Sequence, residues 1–164
     1  MLFRSQGPWL DCVESTWTGT LNLPLEETSW PPTLHPEVSA FVQIMGDWQG
    51  LVVVAVSQAL ARRSTGSMFD LPPDAVEPEM VRDAMGEMAN ILGGAIKAGI
   101  VGTRGLSLPT VVQGEDHSVY VPDMSLACER AWRCGEDLVS VKLYEHNANA
   151  CRLGDAGDSL EAAA

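Results

Sequence analysis

The chain has 164 residues, of which 46% are hydrophobic and 20% charged, proportions typical of one globular domain with its own core. Its 22 acidic residues against 10 lysines and arginines give a formal charge of -12 at pH 7, which argues against binding nucleic acid or an anionic membrane surface. The same charge would not oppose a protein partner that presents lysine or arginine.

No segment of the sequence predicts export or a membrane span. The longest apolar run, residues 51–56, is far shorter than the ~18 residues that a membrane helix needs. Residues 1–10 contain one arginine and no continuous apolar stretch, so they make a poor signal peptide. We therefore expect the protein in the cytoplasm, without a membrane partner.

The cysteines give no metal or redox signal. They are Cys12, Cys128, Cys134 and Cys151, and none forms a C-x-x-C pair. Cys134, His146 and Cys151 are close in sequence, but their spacing matches no common metal site, so free buried thiols are favoured. No serine, histidine and acidic residues are arranged as in nucleophilic catalysis, although residues distant in sequence can meet in a fold.

The first 36 residues give the weakest local signals. Residues 9–15 predict a short helix. Residues 17–25 alternate in part between apolar and polar positions, which favours a first strand. Residues 29–32, Ser-Trp-Pro-Pro, predict a loop.

Two apolar segments around a turn predict the first β-hairpin. Residues 38–45 alternate, residues 46–50 contain turn formers, and residues 51–56 return as an apolar strand. Trp48 lies in this turn and is expected to be exposed.

Two helices are predicted after the hairpin. Ser57 is a suitable N-cap for the first, which is expected to cover residues 58–63 and to end near Thr65-Gly66. The longer one opens at residues 77–79, Glu-Pro-Glu, because proline suits a first turn and acidic side chains suit the positive helix end. It is expected to reach about Ile100.

The remaining sequence predicts further strands. Residues 106–113 favour an extended segment, which Pro109 restricts to a sheet edge or a bulge. Residues 126–132 and 138–145 predict two strands of a second hairpin, joined around Gly135.

These elements predict a single α+β domain, in which a mostly antiparallel β-sheet packs against two long α-helices. Residues 1–153 would form the domain. Residues 154–164 are small and acidic and would form a flexible tail.

The long helix carries a polar stripe that its packing does not require. At about 100° per residue, Asp83, Glu87, Asn90 and Gly94 fall within a sector roughly 60° wide, opposite the apolar side chains. An asparagine in mid-helix competes for backbone hydrogen bonds. The adjacent glycines Gly93 and Gly94 each cost up to ~1 kcal/mol relative to alanine. A helix with such residues on its solvent face is expected to use that face.

The same residues match a known pattern. The helix contains Asp83-x-x-x-Glu87-x-x-Asn90-x-x-Gly93-Gly94, and residues 106–112, Leu-Ser-Leu-Pro-Thr-Val-Val, follow it. Together they resemble the signature helix and the next strand of the CheC/CheX/FliY family of chemotaxis phosphatases. One such helix is more similar to CheX than to CheC, whose members usually have two. The resemblance covers about residues 35–145, and residues 1–35 match the family poorly.

The resemblance implies a function and its site. It implies hydrolysis of the aspartyl phosphate of a CheY-like receiver domain, with the helix lying across the receiver's active site. Asn90 would orient the attacking water and Glu87 would contact a receiver lysine. Asp83 and Gly94 would extend the contact with the partner. This chain would bind no cofactor, since the receiver would hold Mg²⁺, and the likeness also implies a homodimer.

Other interpretations stay open at this level. A chain of the same fold could bind a receiver or another signalling protein without catalysis, and the poorly matched residues 1–35 keep this alternative open, because missing supporting structure could misplace the helix. A structural or assembly protein could use its sheet edges for self-association. Glu87 would then be an ordinary solvated carboxylate and Asn90 a tolerated polar residue.

Overall fold

The fold is built from three α-helices and seven strands within the ranges that the computed structural model describes, residues 8–28, 35–115, 117 and 119–148. The α-helices are α1 (Pro8–Glu14), α2 (Gln58–Phe69) and α3 (Pro78–Ala98), with a π-helical turn at Ser15–Thr20 and a 3-10 turn at Pro73–Ala75. The strands are β1 (Glu26–Thr28), β2 (Val38–Gly46), β3 (Gly50–Val56), β4 (Thr103–Leu106), β5 (Thr110–Gln113), β6 (Met124–Cys134) and β7 (Asp137–His146).

All these strands join one sheet through antiparallel pairs. Its order is β1-β6-β7-β3-β2-β4, and β5 also pairs with β2. Both predicted hairpins are confirmed, with Val42 opposite Val52 in the first and Trp132 opposite Val139 in the second. The predicted extended segment 106–113 divides into parts of β4 and β5, which share one edge of β2. The predicted α+β class with a mostly antiparallel sheet is confirmed.

The hydrophobic core lies between one face of the sheet and α3. Side chains at alternate positions of β2 are at most 1% exposed: Val38, Ala40, Val42 and Ile44. The facing side chains of α3 are equally buried: Val81, Met85, Met88, Leu92 and Ile96. Burial of this kind contributes about 25 cal/mol per Å² of apolar surface, so the apolar side of the helix fixes how α3 lies on the sheet.

Helix α2 begins as predicted but is longer. The hydroxyl of Ser57 accepts a hydrogen bond from the backbone N–H of Leu60 at 3.1 Å, the predicted N-cap. The helix continues past Gly66 to Phe69, and Asp70 ends it in a left-handed conformation at φ 55°. Gly66 lies buried within the helix and does not end it. The chain after the helix folds back, so that the backbone N–H of Leu71 donates a hydrogen bond to the carbonyl of Gly66.

The predicted strand at 17–25 is wrong. The short helix before it is confirmed as α1, and the chain then forms the π-helical turn Ser15–Thr20. Trp17 in this turn is fully buried, and its indole N–H donates to the hydroxyl of Ser64 at 3.3 Å. Tertiary burial of the indole therefore outweighs the partial alternation, and pairing begins only at β1. Helix α3 has 21 residues and α2 has 12, so one of the two helices predicted as long is of ordinary length.

Trp48 is buried, contrary to expectation, with 6% of its surface exposed. Its indole lies over Gly50, where a side chain would leave it no room. The turn itself is held by Asp47, whose backbone N–H donates to the carbonyl of Gly102 at 2.7 Å. The hairpin turn is thereby joined to the connection that follows α3.

Several predictions lie on residues outside the described ranges. They concern the loop at 29–32, Cys151 and the tail at 154–164. The domain boundary at residue 153 therefore stays a prediction. Within the described ranges, none of the helices combines the length and the apolar character that a bilayer crossing requires.

Candidate functional site

The polar stripe lies on the side of α3 that faces away from the sheet. Asp83 and Glu87 are exposed, and Asn90 and Gly94 are half-buried. Glu87 and Asn90 are one helical turn apart, so their side chains can enter one cleft of a partner together. The structure thus brings together all four residues that the sequence singled out, on one accessible face.

The part of the chain that the structure describes gives the stripe no internal bonding role. Among the described residues, none forms a side-chain hydrogen bond or an ion pair with Asp83, Glu87 or Asn90. A mid-helix asparagine usually bonds locally or to a neighbouring loop. Here the carboxamide oxygen and nitrogen of Asn90 stay free to bind water or a partner's groups.

The adjacent glycines have different surroundings. A Cβ on Gly93 would lie 2.5 Å from Cγ2 of Val42 and 3.5 Å from Cδ2 of Leu106, so this glycine is required for close packing of α3 on β2. A Cβ on Gly94 would meet nothing within 4 Å. Packing therefore explains Gly93 but does not explain Gly94, which lies on the stripe.

Alanine at these two positions is expected to change stability in opposite directions. Gly93→Ala should lower the free energy of unfolding by about 1–2 kcal/mol, because overpacking outweighs the gain in helix propensity. Gly94→Ala should raise it by up to about 1 kcal/mol, since alanine stabilises an open helical site. Urea unfolding of both variants measures the two signs. Equal destabilisation would contradict the different surroundings of the two glycines.

The connection between β4 and β5 lies against α3 and was not recognised from the sequence as part of the site. A Cβ on Gly86 would lie 3.3 Å from Cγ of Pro109, so the connection packs closely on the helix. Ser107 joins it to β2, where its backbone N–H donates to the carbonyl of Gln43 at 2.9 Å. In the sequence, only the family resemblance drew attention to the Ser-Leu-Pro segment. No other sequence signal could have placed the connection at the site.

A serine and a histidine meet on the opposite face of the sheet. Nε2 of His117 lies 2.7 Å from the hydroxyl of Ser39, and Nδ1 lies 3.0 Å from the carbonyl of Gly114. Ser39 is buried, and both residues line a cavity of about 220 Å³ together with Val53 and Tyr144. These hydrogen bonds hold the segment after β5 against the sheet. Because Ser39 and His117 are far apart in the sequence, their contact could not be predicted from it.

Within the described ranges, no group of three or more histidine, cysteine or acidic residues could hold a metal ion. Cys12, Cys128 and Cys134 are free thiols, of which Cys134 is buried and the others half-buried. Burial raises the pKa of the Cys128 thiol above its usual value and keeps it protonated at neutral pH. That this chain binds no cofactor stays a prediction.

Several solved structures have the same fold, as three examples show. The chemotaxis protein CheX from Vibrio vulnificus has a TM-score of 0.67 at 19% identity, over 83% of this chain and 93% of that chain. CheX from Desulfovibrio desulfuricans has a TM-score of 0.69 at 16% identity, over 85% and 97%. A chain of the CheX-CheY-BeF3-Mg+2 complex from Borrelia burgdorferi has a TM-score of 0.65 at 16% identity, over 85% and 96%.

The sequence itself matches a family model. No protein of curated function matches it significantly. The model described as chemotaxis phosphatase CheX matches residues 38–129, more than half of the 164 residues, from β2 into β6 and with the whole of α3. The chain therefore belongs to the CheX family of chemotaxis phosphatases.

Proposed function

We propose that this protein hydrolyses the aspartyl phosphate of a CheY-like receiver domain. One observation carries the proposal: in a chain of the CheX family, α3 presents Glu87 and Asn90 on an accessible face with no internal bonding partner among the described residues. Side chains that do not stabilise their own fold are available to a partner's active site.

Asn90 has the chemistry to place the attacking water. Its carboxamide oxygen accepts a hydrogen bond from the water, and its nitrogen donates one to an oxygen of the phosphoryl group. The water oxygen attacks phosphorus while the bond to the aspartate oxygen breaks. The products are a free aspartate carboxylate and inorganic phosphate, which takes up the oxygen and protons of the water. Such a transfer depends on positioning and charge more than on covalent participation of the protein.

Glu87 supplies charge complementarity. Its carboxylate is exposed and carries no ion pair among the described residues, so it can pair with a lysine of the receiver's active site. A pair that closes on docking is shielded from water and is stronger than an exposed pair. Glu87 therefore aligns the helix over the phosphoryl group and brings Asn90 to the water.

The receiver is proposed to hold the metal ion. Phosphoryl transfer requires that the charge on the phosphate oxygens be neutralised, and the described residues offer no group that could bind a metal. A solved relative from Borrelia burgdorferi is a CheX–CheY complex with BeF3 and Mg²⁺, which supports a receiver as the partner. Asp83 and Gly94, on the same stripe as Asn90, are proposed to extend the contact.

The assembly is a separate proposal. We propose a homodimer in the cytoplasm, since β1 ends the sheet among the described strands and a sheet edge suits pairing with a second copy.

The proposed activity is tested with the receivers of the same organism. Each receiver is phosphorylated on its aspartate with a small phosphodonor, and loss of the phosphoryl group is followed with and without the wild-type chain. We expect the wild-type chain to accelerate hydrolysis, and the acceleration to require Mg²⁺. Each chain should dephosphorylate several receivers when the receiver is in molar excess. Binding of a phosphorylated receiver without acceleration would contradict catalysis and support a non-catalytic receiver-binding module.

A further inference from the structure

We infer that Leu108, beside the polar stripe, is a receiver-binding residue that sets the affinity of docking and not the rate of hydrolysis. The inference rests on the proposed function. It adds an apolar contact, on a segment other than α3, to a site that otherwise consists of the polar residues of the stripe.

The connection between β4 and β5 places Leu108 next to Asn90. Leu106 lies against Gly93 and Pro109 lies against Gly86, so this segment runs along α3 in the opposite direction. Gly86, Asn90 and Gly93 are spaced by four and three residues and share one flank of the helix. The seven residue steps from Gly86 to Gly93 along the helix and the three steps from Leu106 to Pro109 along the extended segment both span about 10 Å. The backbone at 107–108 therefore passes alongside the turn that carries Asn90.

The segment is held at both ends. The hydroxyl of Ser107 accepts from the backbone N–H of Gln43 and donates to the carbonyl of Leu108, both at 2.9 Å. The backbone N–H of Ser107 donates to the carbonyl of Gln43, also at 2.9 Å. Pro109 fixes its own φ and packs on Gly86. Binding a partner would therefore require little ordering of this segment.

Leu108 itself points into solvent. Its exposed fraction is 88%, and the side chain takes no part in the core. Single exposed leucines are common, but this one is fixed beside a proposed catalytic asparagine. On the other flank of the stripe Ile91 is also exposed. When a partner covers apolar side chains on both sides of a polar pair, these side chains exclude water from the pair. The exclusion of water strengthens the pair.

The proposed occupant is the phosphorylated receiver, at an apolar surface beside its phosphorylated aspartate. The same surface that accepts Glu87 and Asn90 must cover the flank of α3 on which Leu108 lies. Because the apolar contact is equally present before and during hydrolysis, it lowers KM and leaves kcat unchanged.

The test compares steady-state kinetics of the wild type, Leu108→Ala and Leu126→Ala. Leu126 is a matched control, since it is half exposed and lies opposite Tyr144 on the sheet face away from α3. We expect Leu108→Ala to raise KM by about tenfold with unchanged kcat. Its Kd for a receiver carrying BeF3 and Mg²⁺, a stable analogue of the phosphorylated form, should rise equally. Leu126→Ala should match the wild type.

The outcomes separate the two proposals. An active wild type with unchanged KM for Leu108→Ala would overturn the inference and leave the phosphatase intact. A fall in kcat with unchanged KM would also overturn it, because Leu108 would then act on the chemistry. An inactive wild type would overturn both. Thermal unfolding is expected to show equal stability for Leu108→Ala and the wild type, since the side chain is exposed.

Discussion

Asn90→Ala is expected to lower kcat for receiver dephosphorylation on the order of 10²-fold or more. The variant removes the groups proposed to hold the attacking water in line, and loss of one positioning or charge-stabilising donor typically has an effect of that size. The Kd for a receiver carrying BeF3 and Mg²⁺ should change little, because Glu87 and the rest of the stripe remain. Single-turnover hydrolysis at saturating chain measures the chemical step separately from binding.

Two measurements exclude simpler explanations of that loss. Asn90 is half-buried and has no side-chain partner among the described residues, so Asn90→Ala should unfold at the wild-type temperature or slightly above it, since alanine has the higher helix propensity. Asn90→Asp keeps the size of the side chain but replaces the amide donor with an acceptor and a negative charge. It should therefore be as inactive as the alanine variant. Full activity of either variant would remove Asn90 from the proposed role.

The stripe could be predicted from sequence because helical geometry is local. The predicted helix, from residues 77–79 to about Ile100, differs from α3 (Pro78–Ala98) only at its ends. A regular turn of about 100° per residue then places Asp83, Glu87, Asn90 and Gly94 on one face whatever the rest of the fold. For the same reason Met85 and Met88, on the opposite side of the helix, are fully buried in the core.

The errors lie where packing between distant segments decides the structure. Turn chemistry located the bend around Trp48, but only the hairpin geometry shows that its indole covers Gly50. Partial alternation at 17–25 predicted a strand, whereas the indole of Trp17 is buried against Ser64 on α2. Neither contact is encoded by a local period, so neither could be found without the fold.

The position of Leu108 shows the same limit for the site. Its segment lies beside Asn90 because Ser107 bonds to Gln43 on β2 and Pro109 fits over Gly86. Both contacts depend on the order of strands in the sheet. Sequence patterns therefore identify the polar residues of the candidate site on α3, whereas the apolar residue proposed beside them is found only from the tertiary structure.

Glu87→Ala is expected to raise the Kd for the receiver carrying BeF3 and Mg²⁺ by about tenfold or more, and to lower kcat as well. Removing one partner of a charge pair that is shielded on docking leaves the other charge unpaired, which is more damaging than loss of an exposed pair. The fall in kcat follows from the proposed mechanism, in which Glu87 aligns the helix that carries Asn90.

Glu87→Gln and Glu136→Ala make the test of Glu87 specific to its charge and its position. Glu87→Gln keeps the shape and removes the charge, so it should lose most of the affinity that Glu87→Ala loses. Glu136 is an exposed carboxylate between β6 and β7, and Glu136→Ala changes the net charge equally without touching the stripe. Wild-type affinity should fall as salt is raised, and that dependence should weaken in Glu87→Gln but persist in Glu136→Ala. If Glu136→Ala weakened binding as much as Glu87→Ala, the overall charge of the protein would explain the effect, and Glu87 would have no specific lysine partner.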